Sequence, residues 1–165
     1  MSTRRTVIIG VAGALLSRRL FARLPADATE LSLRDALRRC VDAWNRHDVP
    51  GWADTLTEDV RYSAGVDPYR LLQGRPAVAG QIGELVRTTD LAWDIVRLRM
   101  RSDSTATVVV RQTLAWLPKV DGRYARTAES RPAVSRWRYE GSWKLGFFTA
   151  HKESALEAMK EDGVE

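Results

Sequence analysis

Residues 33–63, LRDALRRCVDAWNRHDVPGWADTLTEDVRYS, decide the fold of this 165-residue chain. Leu33, Leu37, Cys40, Val41 and Trp44 recur at the spacing of one face of a 3.6-residue period. Arg34, Arg38, Arg39, Asp42, Asn45 and Arg46 occupy the remainder. The spacing predicts an amphipathic helix capped by Ser32, with Asp35 beside the unpaired amides that favour negative charge. Asn45, Arg46, His47 and Asp48 read as its stop. Asp48 then caps a second, short helix, with Pro50 in the first turn, where a missing N–H costs nothing. Trp52 and Leu56 give that helix its buried side. Thr57, Glu58 and Asp59 read as a turn, and residues 60–63 as the entry to a strand.

Beyond Ser63, Gly65, Asp67 and Pro68 mark a loop that ends at Gly74. Pro76 opens a helix to about Thr88, with Val78, Ile82 and Val86 on one face. From Leu91 the period becomes two. Leu91, Trp93 and Ile95 share one parity, and Val96, Leu98 and Met100 the other, a switch that predicts a β-bulge near Ile95. Asp103 sits in a turn between Ser102 and Ser104. A β-branched strand covers residues 105–117, and Asp121 with Gly122 is a hairpin signal. Residues 124–139 read as a strand interrupted near Pro132. Glu140 and Gly141 make the next turn, residues 143–150 the last strand, and residues 152–161 a terminal helix. The order predicts an α+β fold: a cone-shaped, curved antiparallel sheet wrapped around the N-terminal helix, with two further helices and a short C-terminal one.

The segments AWNRHD (residues 43–48), LTEDV (residues 56–60) and QGRPAV (residues 73–78), with the turn helix between the first two, carry a resemblance. Over roughly residues 31–152 the chain resembles the nuclear-transport-factor-2-like superfamily, and within it the SnoaL-like (polyketide-cyclase-like) and ketosteroid-isomerase-like domains. The resemblance implies a ligand pocket at the open end of the cone. Its expected lining is Cys40, Trp44, Tyr62, Tyr69, Ser135 and Trp137. Ketosteroid isomerases use an aspartate base with a tyrosine and a protonated aspartic acid as oxyanion donors. Carried over position by position, the tyrosine falls on Cys40, the base on Ala64 and the acid on Ser135. All three differ, which argues against that chemistry. Asp67, three residues from the changed base position, and His151, at the end of the last strand, are the remaining acid–base candidates. Cys40 reads as a buried, inert thiol and His47 as an exposed turn residue. Asp94 and Glu129 are strand carboxylates of open facing.

Length and a hydrophobic content of 44% fit one domain with a packed core. The formal charge is +5. Five of the basic residues and one acidic residue lie within residues 1–28, which leaves residues 29–165 with 21 basic and 20 acidic, a net of +1. A domain so nearly neutral is not expected to bind nucleic acid, where phosphate neutralisation supplies the affinity. Arg97, Arg99 and Arg101 on one side of a strand read as a solvated face. A single cysteine forms no intramolecular disulfide, and the two histidines, His47 and His151, join no metal-ligand spacing. No cofactor is expected.

The first 28 residues read as an export segment. TRRTVI (residues 3–8) is similar to the twin-arginine motif, and the apolar run over residues 7–16 is far shorter than the roughly 20 residues of a membrane span. Ala26, Asp27 and Ala28 suit cleavage after Ala28, leaving a SnoaL-like domain over residues 29–165. Membrane contact is expected only through the uncleaved signal, and the setting is periplasmic or extracellular, with the cytoplasm as alternative. Three function classes follow: a domain binding a small apolar or aromatic molecule; an isomerase, cyclase or hydrolase using Asp67 or His151; and a dimerisation scaffold whose pocket is filled by its own tryptophans. A homodimer is expected, because the outer face of a curved sheet needs a cover.

Overall fold

The computed structural model describes residues 28–63, 71–120, 123–127 and 130–164. The first helix, α1, spans Glu30–Asn45 and starts one turn earlier than the spacing predicts. Thr29, not Ser32, is its cap. The two hydroxyls form a reciprocal capping box in which Ser32 N donates to Thr29 Oγ1 (3.2 Å) and Thr29 N to Ser32 Oγ (3.0 Å). Ser32 Oγ also accepts the indole N–H of Trp143 at 3.0 Å, which ties the start of the helix to the last strand. The predicted apolar face is buried: Leu33, Leu37, Cys40 and Trp44, joined by Ala36 and Ala43.

At the other end of α1 the chain reverses through His47, whose φ of 57° lies in the left-handed region. Asn45 clamps the backbone of Leu91 at both its polar groups, donating to the carbonyl (2.9 Å) and accepting from the N–H (2.7 Å). His47 is half-buried rather than exposed, because its Nδ1 donates to the Val86 carbonyl at 2.9 Å. Asp48 caps α2 (Val49–Ala53) by accepting from Gly51 N, with Pro50 in the first turn as read from sequence.

Strand β1 runs over Leu56–Ser63, so Thr57, Glu58 and Asp59 lie within it and not in a turn. Its register against the last strand jumps between Leu56, paired with Leu145, and Arg61, paired with Phe147. The polar triplet is therefore a bulge. Thr57 is buried, while Glu58 meets Arg75 at 3.1 Å and Asp59 is bonded to Arg138. A short β2 (Leu72–Gln73) precedes α3 (Arg75–Thr88), which is entered through Gly74 at φ 86°.

The long strands follow: β3 (Thr89–Ser102), β4 (Thr105–Val120), β5 (Arg123–Thr127), β6 (Arg131–Tyr139) and β7 (Trp143–Thr149). The predicted bulge in β3 lies between Ile95 and Arg97, leaving Val96 exposed. The predicted break near Pro132 falls earlier, between β5 and β6. Pro132 sits inside β6 opposite Arg111, below the first β7 pairing at Val134, so one of its two sides has no strand to receive an N–H. Asp121 and Gly122 lie outside the described residues, as does Glu129.

The sheet order is β2-β1-β7-β6-β4-β3, with β5 beside the far end of β4. The curved sheet and the helix within it are the expected α+β cone. Its ladders are antiparallel except at one seam, where β1 and β7 run parallel. The C-terminal helix α4 (Lys152–Asp162) lies across the opposite face. There Ala155, Ala158 and Val164 pack on Val109, Val134 and Phe147, a second core separate from the first. This part of the outer face thus has a cover from its own chain.

Candidate functional site

The space between α1 and the sheet is filled by rings. Trp44 meets Trp52 edge to face with centroids 5.4 Å apart, and Trp52 meets Tyr62 at 6.1 Å. Tyr62 stacks on Phe148 at 4.7 Å, and Phe148 stacks on Trp93 at 5.7 Å. Of the six expected pocket residues, Cys40, Trp44, Tyr62, Ser135 and Trp137 all face this interior and all are buried. They form the packed core itself. Tyr69 lies outside the described residues, as do Ala64 and Asp67.

The polar atoms in this interior are largely engaged. Trp44 Nε1 donates to both the carbonyl and the hydroxyl of Thr89 (3.2 and 3.1 Å). Strand parity rightly turns Ser135 and Trp137 inward together. Ser135 Oγ donates to the Val108 carbonyl at 3.2 Å and accepts from Trp137 Nε1 at 3.0 Å. That hydroxyl has no proton to offer a developing oxyanion. Burial pushes the Cys40 thiol up to about 11, so at neutral pH it is neither nucleophile nor base. Burial likewise raises the Tyr62 phenol, with Cys40 adding to the effect. Both groups stay neutral. His151 is not in the interior: it precedes α4, half-buried, with Nδ1 3.3 Å from Ser154 Oγ. Asp94 is exposed, opposite Arg111 in the β3/β4 ladder.

The ring ladder reaches the surface at Trp93. This half-buried indole has Phe148 on one side, donates Nε1 to Gln112 Oε1 (3.3 Å), and lines a groove of about 280 Å³ between α1 and β3. Leu37, Val41 and Ile95 complete its apolar walls, and Arg34 and Arg38 stand at its edge. Both arginines are engaged locally, with Glu30 and Asp35. The β alternation placed Trp93 on the side of Leu91 and Ile95. What it could not show is that α1 stops short of covering the indole.

The sequence profile of the SnoaL-like domain family matches residues 37–144. The chain belongs to this family. Solved structures share the fold at low identity. A cystatin-like-fold domain of unknown function from Nostoc punctiforme is 18% identical, with a TM-score of 0.61 over 86% of this chain and 88% of its own. A putative calcium/calmodulin-dependent protein kinase II association domain from Xanthomonas campestris is 14% identical, with a TM-score of 0.64 over 78% and 91%. A putative dehydratase of the NTF2-like family from Streptomyces avermitilis is 15% identical, with a TM-score of 0.58 over 74% and 94%. No curated protein matches the chain. One scaffold under such different descriptions means that function has to be argued from this chain's own side chains.

Proposed function

We propose that this SnoaL-like domain binds a small, flat, apolar or aromatic molecule and performs no acid–base turnover with its interior residues. The observation that carries the reading is Trp93, which offers an indole backed by Phe148 to an apolar groove. A ring laid in the groove would cover apolar surface on Leu37, Val41 and Ile95 and gain an aromatic contact of about 0.5–1.5 kcal/mol beyond area burial. Proton transfer beside a carbonyl needs a base and a donor aimed at the forming oxyanion. Among the described residues the interior offers no base: the Cys40 thiol and the Tyr62 phenol both keep their protons at neutral pH, and the Ser135 hydroxyl is spent on the Val108 carbonyl.

The test uses N-phenyl-1-naphthylamine, whose fluorescence rises on entering an apolar site. Saturable binding that is lost in Trp93→Ala and kept in Phe147→Ala is expected. Unchanged binding in Trp93→Ala overturns the placement. Turnover of a 3-oxo-Δ5-steroid by the purified chain overturns the non-catalytic reading and directs attention to Asp67. The setting we propose is export through residues 1–28, of which residues 1–27 lie outside the described residues. Retention of full-length chain in the cytoplasm, unaffected by Arg4→Lys with Arg5→Lys, would dismiss it.

A further inference from the structure

A second cleft, of about 300 Å³, lies on the outer side of the sheet, between the end of β1 and one flank of α4. Three features set it apart. Ser63 is only 5% exposed, lines the cleft, and its hydroxyl has no hydrogen-bond partner among the described residues. A buried hydroxyl left unpaired is costly, so the position asks for a polar atom from outside the chain. Arg61, two residues earlier on the same face of β1, is exposed and makes no ion pair among the described residues. Across the cleft, Glu157 on α4 is also exposed and without an ion pair. The other charges are satisfied: Arg136 holds Glu161 and Asp162, each at 2.8 Å. Leu71, 42% exposed, supplies apolar surface, together with the part of Phe147 that the Arg136 guanidinium, 4.9 Å from its ring centroid, leaves uncovered.

Among the described residues, one cation and one carboxylate without ion pairs line the same cleft, with an unpartnered hydroxyl two residues from the cation and apolar surface beside them. We propose that this cleft binds a small zwitterion, a free α-amino acid with an apolar side chain. The ligand carboxylate lies against the Arg61 guanidinium and accepts from Ser63 Oγ. Its ammonium group donates to Glu157, and its side chain rests on Leu71 and Phe147. A simple carboxylate would meet Arg61 but leave its negative field facing Glu157, and a simple amine would reverse the fault. The cleft selects the molecule that carries both charges. It lies across the sheet from the groove at Trp93, and the two sites stand or fall separately.

Calorimetric titration of the full chain with L-leucine is the test, alongside 4-methylpentanoate and 3-methylbutylamine, which each lack one charge. Saturable leucine binding is expected, weaker by about tenfold or more for each truncated analogue. Arg61→Gln and Glu157→Gln should each weaken leucine binding by a similar factor, and Ser63→Ala by less. Arg61 and Glu157 are exposed, so both variants should keep the far-ultraviolet circular dichroism of the parent. Trp93→Ala should leave leucine binding intact while abolishing that of N-phenyl-1-naphthylamine. No leucine binding at millimolar concentration overturns the proposal. So does 4-methylpentanoate binding as tightly as leucine, or leucine binding indifferent to Arg61→Gln.

Discussion

On the inner face of the sheet, Trp44, Trp52, Tyr62, Phe148 and Trp93 fill the cone with rings, and its ionisable groups are neutral. On the outer face, α4 rests on the small patch of Val109, Val134 and Phe147, and charges hold it in place. Asp162 accepts from Thr107 Oγ1, Arg136 Nε and Arg101 Nη1 at 2.8, 2.8 and 3.1 Å. Arg99 donates to the carbonyls of Asp162 and Gly163, where the helix ends with a glycine at φ 59°. The inner face draws its stability from buried area, which salt scarcely touches. The outer face depends on directional contacts that lose much of their worth when one partner is removed. The side chains divide in the same way: Arg61 and Glu157, without ion pairs among the described residues, are outside, and the apolar groove at Trp93 opens from within.

The comparison breaks first at Trp44. Its indole is 1% exposed at the centre of the inner core, with its N–H on Thr89. Trp44→Ala should cost about 3–5 kcal/mol in urea unfolding, as for buried aromatics generally. A loss below about 1 kcal/mol would mean that the inner face is not the stabilising one.

Alkaline pH tests the same face by another route. Burial holds the Cys40 proton to about 11, whereas the unfolded chain releases it from 9.0. The shift stabilises the fold fully below pH 9, and the gain is lost as pH rises through the folded value. The loss amounts to about 2–3 kcal/mol. Tyr62, also raised, adds to it above its ordinary 10.0. Urea midpoints should fall between pH 9 and 10 in the parent, and with a shallower slope in Cys40→Ala. Equal slopes would place the thiol in contact with water.

Asp162→Asn sharpens the other side. It removes the charge that Arg101 and Arg136 share, and about 1–2 kcal/mol is expected, discounted because both arginines are more than a third exposed. The more telling readout is local. Hydrogen exchange should speed up across α4 while α1 keeps its protection. Equal acceleration in both helices would show one cooperative unit.

The helices, the bulge near Ile95 and the inward parity of Ser135 and Trp137 were legible in the sequence, because each is a periodic pattern or a break in one. The segment AWNRHD was legible as a family signature, and the structure shows why it says little about function. Trp44 packs, Asn45 clamps β3, His47 reverses the chain and holds α3, and Asp48 caps α2. Within that segment Ala43 is buried as well, and Arg46 alone lacks a side-chain partner among the described residues. Misreadings came where a partner is distant in sequence. Thr57, Glu58 and Asp59 look like a turn until Arg75 and Arg138 are beside them. Arg99 and Arg101 do lie on an exposed face, but that reading missed α4, which returns about sixty residues later to accept hydrogen bonds from them. The two candidate sites were illegible for the same reason. Trp93 matters because α1 leaves it uncovered, and Arg61 because α4 brings no partner to it.

The smallest effect expected is at the ion pair of Arg138 with Asp59, to which Glu140 adds a contact at 3.2 Å. The hydrogen bond from Arg138 holds the Asp59 carboxyl below its ordinary 3.8. A lowered carboxylate stabilises the fold above 3.8, and the gain disappears as pH falls through the folded value. Both side chains are well exposed, 41% and 63%, so water and salt screen most of that gain. Asp59→Asn should cost less than about 0.5 kcal/mol at neutral pH, and less again in 1 M sodium chloride. This pair sits on the bulge of β1, outside both cores, and belongs to neither mode of stabilisation. A loss above about 1.5 kcal/mol, insensitive to salt, would show that the bulge transmits strain into the β1/β7 seam and that the two faces are coupled there.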